Sequence, residues 1–385
     1  MLKGYRTMLF PNKQQQELII KFCNASRFAY NWTLAYEKEN HEKGNKFISG
    51  YDMTKIFTQL KKQEDYLWLK EISARALKVS ILNACESYQN FFKGKSKHPK
   101  FKTKKNSKMK CATHEGTTII EKKRIRLEKL GWVKCHKHNI PIYDGMKIYN
   151  PKIEFDGLNY WFSCSIDTDD YKIHKINQEK TEPIGIDLGI KTLATCSNGK
   201  NFNRVNIKRI EKRLKKLKRR ASKRYAEMIK ISKETKTKFH KLQKSKNLIK
   251  LEKKILKLER HIANIRKNNL HEITSTLIKL NPSHIVIEDL NVSGMRKNKH
   301  LSKAIDDCSF YEFRRQLEYK CKWNDIELVI ADRWYPSSKL CSCCGNKKDK
   351  LSLSERTYIC EHCGLIIDRD YNASLNLKNL VTFNQ

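Results

Sequence analysis

Ile184-Gly185-Ile186-Asp187-Leu188-Gly189, followed by Thr192-Leu193-Ala194-Thr195-Cys196, is the stretch on which the fold turns. Both are short apolar runs separated by turn residues, and they predict two buried strands within 183–198. His284-Ile285-Val286-Ile287-Glu288 and Glu327-Leu328-Val329-Ile330-Ala331 are runs of the same kind, with a helical stretch from Lys303 to Asn324 between them. Strands alternating with helices imply an α/β layer structure. Asp187 projects from the first strand and Glu288 ends another. A carboxylate in a core-like strand is costly unless it is paired or binds a cation. Asp370, where a final helix starts, is a third acid of this kind. Three carboxylates from separate elements can hold two Mg²⁺ ions and hydrolyse a phosphodiester. The bland readings stay open: Asp187 caps a turn, Glu288 pairs with one of many lysines, and Asp368 or Asp370 caps the helix. Asp289 and Asp332 also lie at strand ends.

Just before that helix, Cys341-x-x-Cys344 and Cys360-x-x-Cys363 stand fifteen residues apart, each pair followed by glycine, Gly345 and Gly364. Two such knuckles supply four thiolates to one tetrahedral Zn²⁺ ion, and a closed four-thiolate site is structural. Cys343 is a spare thiol, His362 reads as a bystander, and a redox pair is the competing reading. The other eight of the thirteen cysteines are scattered singly, which suits a reducing cytosol.

Working outward, the helical pair after the first two strands is strongly basic. Val205 to Lys230 holds twelve Lys or Arg and two acids. The second arm places Leu248, Leu251, Ile255, Leu258, Ile262 and Ile265 at alternating spacings of three and four, a seam for a helical hairpin. Further upstream, residues 1–10 read as a strand ending at Pro11, and 13–45 and 52–95 as helices. Lys93 to Lys105 is a basic run broken by Gly94 and Pro99, suited to a nucleic-acid backbone. Arg124–Leu127 and the hairpin Lys152–Phe155 with Tyr160–Ile166 suggest a small β-barrel or sheet.

Lys plus Arg total 80 against 41 acids, a formal charge of +39, so a polyanion is the expected partner. No segment reaches the roughly 18 consecutive apolar residues of a membrane span, and Met1–Ile20 has no uninterrupted apolar core for a signal peptide.

In order along the chain, Gly185-Ile-Asp-Leu-Gly-Ile-Lys191, Ile287-Glu-Asp-Leu290, Pro336-Ser-Ser-Lys-x-Cys-Ser-x-Cys-Gly345 and Asp368-Arg-Asp-Tyr-Asn-Ala373 resemble the signatures of the TnpB family. These are transposon-encoded nucleases related to the type V CRISPR effectors. Tyr30-Asn31, Tyr66-Leu-Trp-Leu-Lys70, Phe91-Phe92, Pro99-Lys-Phe-Lys102 and Leu130-Gly-Trp132 add weaker similarity upstream. The resemblance implies a multidomain α+β protein: a ribonuclease-H/RuvC-like α/β core with an inserted zinc ribbon, preceded by a small β-barrel carrying a helical insertion. On that reading 1–10 and 116–180 form a wedge-like barrel and 11–115 a helical recognition domain. Residues 181–385 form the nuclease, with a basic hairpin at 205–280 and the ribbon at 338–366. It also implies Asp187, Glu288 and Asp370 as catalytic acids and Mg²⁺ ligands. Asp370 is preferred to Asp368 because the family's acid directly precedes the x-Asn-Ala step. The expected partners are a transposon-derived guide RNA and double-stranded target DNA with a short adjacent motif, bound by one protein per RNA in a prokaryotic cytosol. The rival expectations are an RNA-guided repressor with idle acids, or an accessory transposase protein.

Overall fold

A computed structural model describes residues 2–104, 106–168, 179–237, 242–352 and 354–382. The last residue of the basic run (105), the end of the expected barrel region (169–178) and part of the hairpin loop (238–241) lie outside the described residues. The chain divides into two units, Met1–Lys175 and Ile176–Gln385.

The first unit opens with β1 (Leu2–Phe10) and a long helix α1 (Lys13–Glu42). Proline ends the strand at position 11, and Asn12 caps the helix. Its side chain accepts the Gln15 N–H at 2.8 Å while the Gln15 side chain accepts the Asn12 N–H at 3.0 Å. Helices α2 (Gly50–Leu60) and α3 (Ala74–Phe92) pack beside it. Six further strands follow: β2 (Met109–Ala112), β3 (Ile119–Glu121), β4 (Arg124–Leu127), β5 (Gly131–Cys135), β6 (Ile148–Phe155) and β7 (Tyr160–Asp167). All seven join one antiparallel sheet in the order β2-β6-β7-β1-β5-β4-β3. Strand β7 alternates buried and half-buried residues along its whole length, so one face turns to a core shared with Ile19, Phe22 and Leu77 of the helices. The described part of the basic run, 93–104, forms no strand and no helix. Asn31 holds it, donating to the Lys102 carbonyl at 2.9 Å and accepting the Lys102 N–H at 2.8 Å.

The second unit is built on β8 (Ile184–Asp187), β9 (Thr192–Cys196) and β10 (Asn201–Asn203). The basic pair α4 (Lys208–Glu234) and α5 (Lys246–Lys279) comes next, then β11 (His284–Glu288). Short helices α6 (Val292–Met295) and α7 (Ser302–Cys308) lead to α8 (Phe310–Trp323) and β12 (Glu327–Ala331). The small ribbon strands β13 (Thr357–Ile359) and β14 (Ile366–Asp368) precede α9 (Arg369–Thr382). The main sheet has the order β10-β9-β8-β11-β12, with β8, β11 and β12 parallel and β9 and β10 antiparallel to their neighbours. The helix expected from Lys303 to Asn324 is broken at Ser309, whose φ of 53° ends α7 and starts α8. The break lets Cys308 and Phe310 both enter the core.

Strand alternation sets the two faces of this sheet. Ile186, Ile285 and Ile287 pack on Leu277, Phe313 and Leu317 of α5 and α8. Val286 faces the other way, onto Leu377 of α9. Gly185 also faces α9. A Cβ there would lie 2.0 Å from the Ser374 carbonyl oxygen and 2.4 Å from the Lys378 nitrogen, so only glycine lets the helix approach this strand.

Candidate active site and metal centre

Side chains two residues apart on a strand share a face. Asp187 therefore projects on the side of Gly185, and Glu288 on the side of Val286, both toward α9. The register Ile287↔Ile186 puts the two acids at one level of neighbouring parallel strands. Asp370 lies in the first turn of α9, which Gly185 admits against the sheet. All three carboxylates are half-buried.

Their electrostatics agree with this placement. Burial, then the negative charges of Glu288 and Asp370, push Asp187 well above the usual carboxylate range, with Arg369 opposing. Burial also raises Glu288. The Ser337 hydroxyl, donating to Oε1 at 2.5 Å, pulls it back, and Asp370 raises it further. Arg369 and Arg356 approach Asp370 at 3.5 and 3.8 Å. Like charges crowded into a desolvated spot favour a bound cation.

The competing acids have other work. Asp368 accepts the Tyr371 N–H at 2.9 Å, as an N-cap does. Asp332 accepts the Trp334 N–H at 2.8 Å inside a turn. Asp289 bridges Arg333 at 2.5 Å and Arg314 at 2.9 Å.

The cysteines are drawn together more tightly. The Sγ atoms of Cys341, Cys344, Cys360 and Cys363 all lie within 4.8 Å of one another, the one such group among the described residues. Two of the sulfur pairs stand 3.6 Å apart. Zn–S bonds of about 2.3 Å at tetrahedral angles put sulfurs about 3.8 Å apart, so the set fits a zinc site. Each knuckle closes identically. Gly345 and Gly364 N–H groups donate to the Cys341 and Cys360 carbonyls at 2.9 and 3.0 Å, and both glycines take φ near the left-handed region, 72° and 73°. Backbone N–H groups of Cys363 and His362, against desolvation, lower Cys360, while desolvation and its cysteine neighbours raise Cys344, as expected where four thiols crowd one point. Cys343 is exposed and outside the cluster.

Two residues join the two sites: Asn372, quoted only as part of a motif, and Asn376, which sequence reading missed. Asn372 is fully buried. It donates to the Leu340 carbonyl at 2.7 Å and accepts the Ser342 N–H at 3.0 Å. Asn376 donates to the Ser337 and Leu340 carbonyls, both at 2.7 Å. One face of α9 thus grips the entry to the ribbon while its first turn presents Asp370. The twelve basic residues from Lys208 to Lys230 are all exposed.

Three family profiles match: "Cas12f1-like, TNB domain" over residues 310–377, "Probable transposase" over 164–299, and "Helix-turn-helix domain" over 1–46. The last region is a strand and one unbroken helix here. The chain is 30% identical to "Putative RNA-guided DNA endonuclease InsQ" of Escherichia coli, across 98% of this chain and 91% of that protein. It is 28% identical to a "Putative RNA-guided DNA endonuclease" of Streptomyces pristinaespiralis, across 97% and 88%. Among solved structures, the fold resembles that of the Cas12f1–sgRNA–target DNA complex. The TM-score is 0.50 and the identity 15%, with 98% of this chain and 99% of that one covered.

Proposed function

The chain belongs to the TnpB family, and from that premise we propose that it is an RNA-guided DNA endonuclease. The observation that carries the chemistry is the convergence of Asp187 and Glu288, level on adjacent strands, with Asp370 on the helix they face. The strand order with its antiparallel edge supports a ribonuclease-H/RuvC-like core at 181–385. We assign 1–10 with 116–180 to a wedge-like barrel and 11–115 to the recognition helices.

In this reading Asp187, Glu288 and Asp370 are the catalytic acids and bind Mg²⁺. These three carboxylates would hold the metal, which would supply Lewis-acid activation of water and of the phosphodiester. Ser337 fixes the Glu288 carboxylate by its 2.5 Å hydrogen bond. Arg356 and Arg369, at 3.8 and 3.5 Å, offset the charge of Asp370. The exposed basic face of α4 would take guide RNA or heteroduplex backbone, and base pairing would read the sequence. No helix among the described residues is long and apolar enough to cross a membrane.

The test is co-expression with the DNA flanking the native gene. Co-purified RNA is sequenced, and the complex is challenged with a matched plasmid of randomised flank plus Mg²⁺. A discrete RNA and guide-dependent cutting are expected. Guided binding without cutting would indicate a repressor, and absence of any discrete RNA would overturn the reading.

A further inference from the structure

The turn after β12 carries a side chain that the cutting chemistry does not use. Trp334 is 84% exposed, the most exposed large apolar side chain among the described residues. A lone apolar side chain in water needs no explanation by itself. The backbone beneath this one, however, is pinned. Asp332 holds the Trp334 N–H at 2.8 Å, the Tyr335 N–H donates to the Asp332 carbonyl at 3.0 Å, and the Tyr335 hydroxyl donates to the Asn376 carbonyl of α9 at 3.1 Å.

Its neighbours matter as much. Arg333, on one side, grips Asp289 at 2.5 Å. Ser337, three residues on, grips Glu288 at 2.5 Å. Trp334 is therefore mounted between the ligands of two adjacent acids at the end of β11. Asp289 continues the link to Arg314 of α8 at 2.9 Å. Tyr311, 74% exposed, lies three residues before Arg314 on the same helical face. Exposed rings on an arginine-rich surface are the chemistry that takes a stacked base together with its phosphate.

We infer that Trp334 is a stacking platform for an unpaired nucleobase of the DNA strand entering the carboxylate site, with Arg333 beside its backbone. The inference rests on the nuclease reading for the identity of that strand. A base inside a duplex is already stacked and paired, so an indole carried on this pinned turn selects single-stranded DNA and holds its register against the acids.

The test uses the full chain with its guide RNA. Single-stranded oligonucleotides carry 2-aminopurine at successive positions and are bound in an Asp187→Asn background to prevent cutting. Fluorescence should be quenched at one position. The quench should vanish with Trp334→Ala and persist with Trp334→Phe, with all proteins melting alike. In cutting-competent protein, Trp334→Ala should slow single-turnover cutting by about tenfold with guided duplex binding unchanged. An identical quench in Trp334→Ala overturns the platform, even if guided cutting is normal. A Trp334-dependent quench in a protein that never cuts would sustain the base site and sink the nuclease reading instead.

Discussion

The ribbon and the carboxylate site are neighbours built on opposite plans. The four cysteines lie within 23 consecutive residues, Cys341 to Cys363. Two self-similar knuckles, each closed by its own glycine hydrogen bond, bring the sulfurs within 4.8 Å. The three acids come from positions 187, 288 and 370 and face one another only because two strands are in register and a helix crosses one of them at a glycine. The first arrangement is local and closed. The second is distributed and electrostatically strained, which suits the proposed role of a site that admits substrate and exchanges cations.

Removing an acid should therefore abolish chemistry and spare the fold. We predict that Asp187→Asn or Glu288→Gln lowers single-turnover guided cutting at least about a thousandfold. The melting temperature without divalent metal should stay level or rise, because a buried repulsion is relieved. Cutting within tenfold of wild type would break the assignment.

Removing a thiolate should do the reverse and act through structure. Cys360→Ser is expected to take zinc from one ion per chain to none by elemental analysis, and to loosen the ribbon that Asn372 and Asn376 tie to α9. Cutting should fall by about ten- to a hundredfold through Asp370, with guide RNA still bound. Full activity with zinc lost would show that the two sites are independent.

Gly185→Ala strikes the distributed site at its joint. The added methyl meets the backbone of α9 at Ser374 and Lys378, so we predict about 2–4 kcal/mol of destabilisation in denaturant unfolding. A cost near zero would mean that α9 does not rest on β8.

The smallest effect sharpens the contrast between shared and solitary acids. Glu37 is raised to about 7, chiefly by burial, with the Ile48 N–H opposing. Its folded pKa lies above the unfolded 4.5, so the folded state holds more protons between these values. Its contribution is intact below the unfolded pKa and is lost as pH rises through about 7. Glu37→Gln should raise the melting temperature by a few degrees at pH 8 and barely at pH 5, and Mg²⁺ should not alter the difference. A pH-independent change would contradict this.

What could be read in the sequence follows the same division. The bounds of β11 and β12 were legible because each is an unbroken apolar run. The knuckles were legible because their spacing is the site. The break at Ser309 was not, since no glycine or proline marks it and tertiary packing on both sides imposes it. Nor were the roles of Asn372, quoted only within a motif, and of Asn376. Polar residues on a terminal helix look solvated, yet these are buried against carbonyls more than thirty residues away. Gly185 looked like an ordinary strand glycine until α9 was seen against it. Ser337 was quoted within a motif, but its bond to Glu288 required the fold.

The most direct test of the central claim locates the cation itself. Fe²⁺ is substituted for Mg²⁺ in the zinc-loaded complex with guide RNA, and hydroxyl radicals generated at the bound iron cut the nearby polypeptide. Cleavage clustered around residues 187, 288 and 370, suppressed by excess Mg²⁺ and lost in Asp187→Asn, is the predicted result. Cleavage elsewhere, or a pattern indifferent to Asp187→Asn, would contradict the carboxylate site.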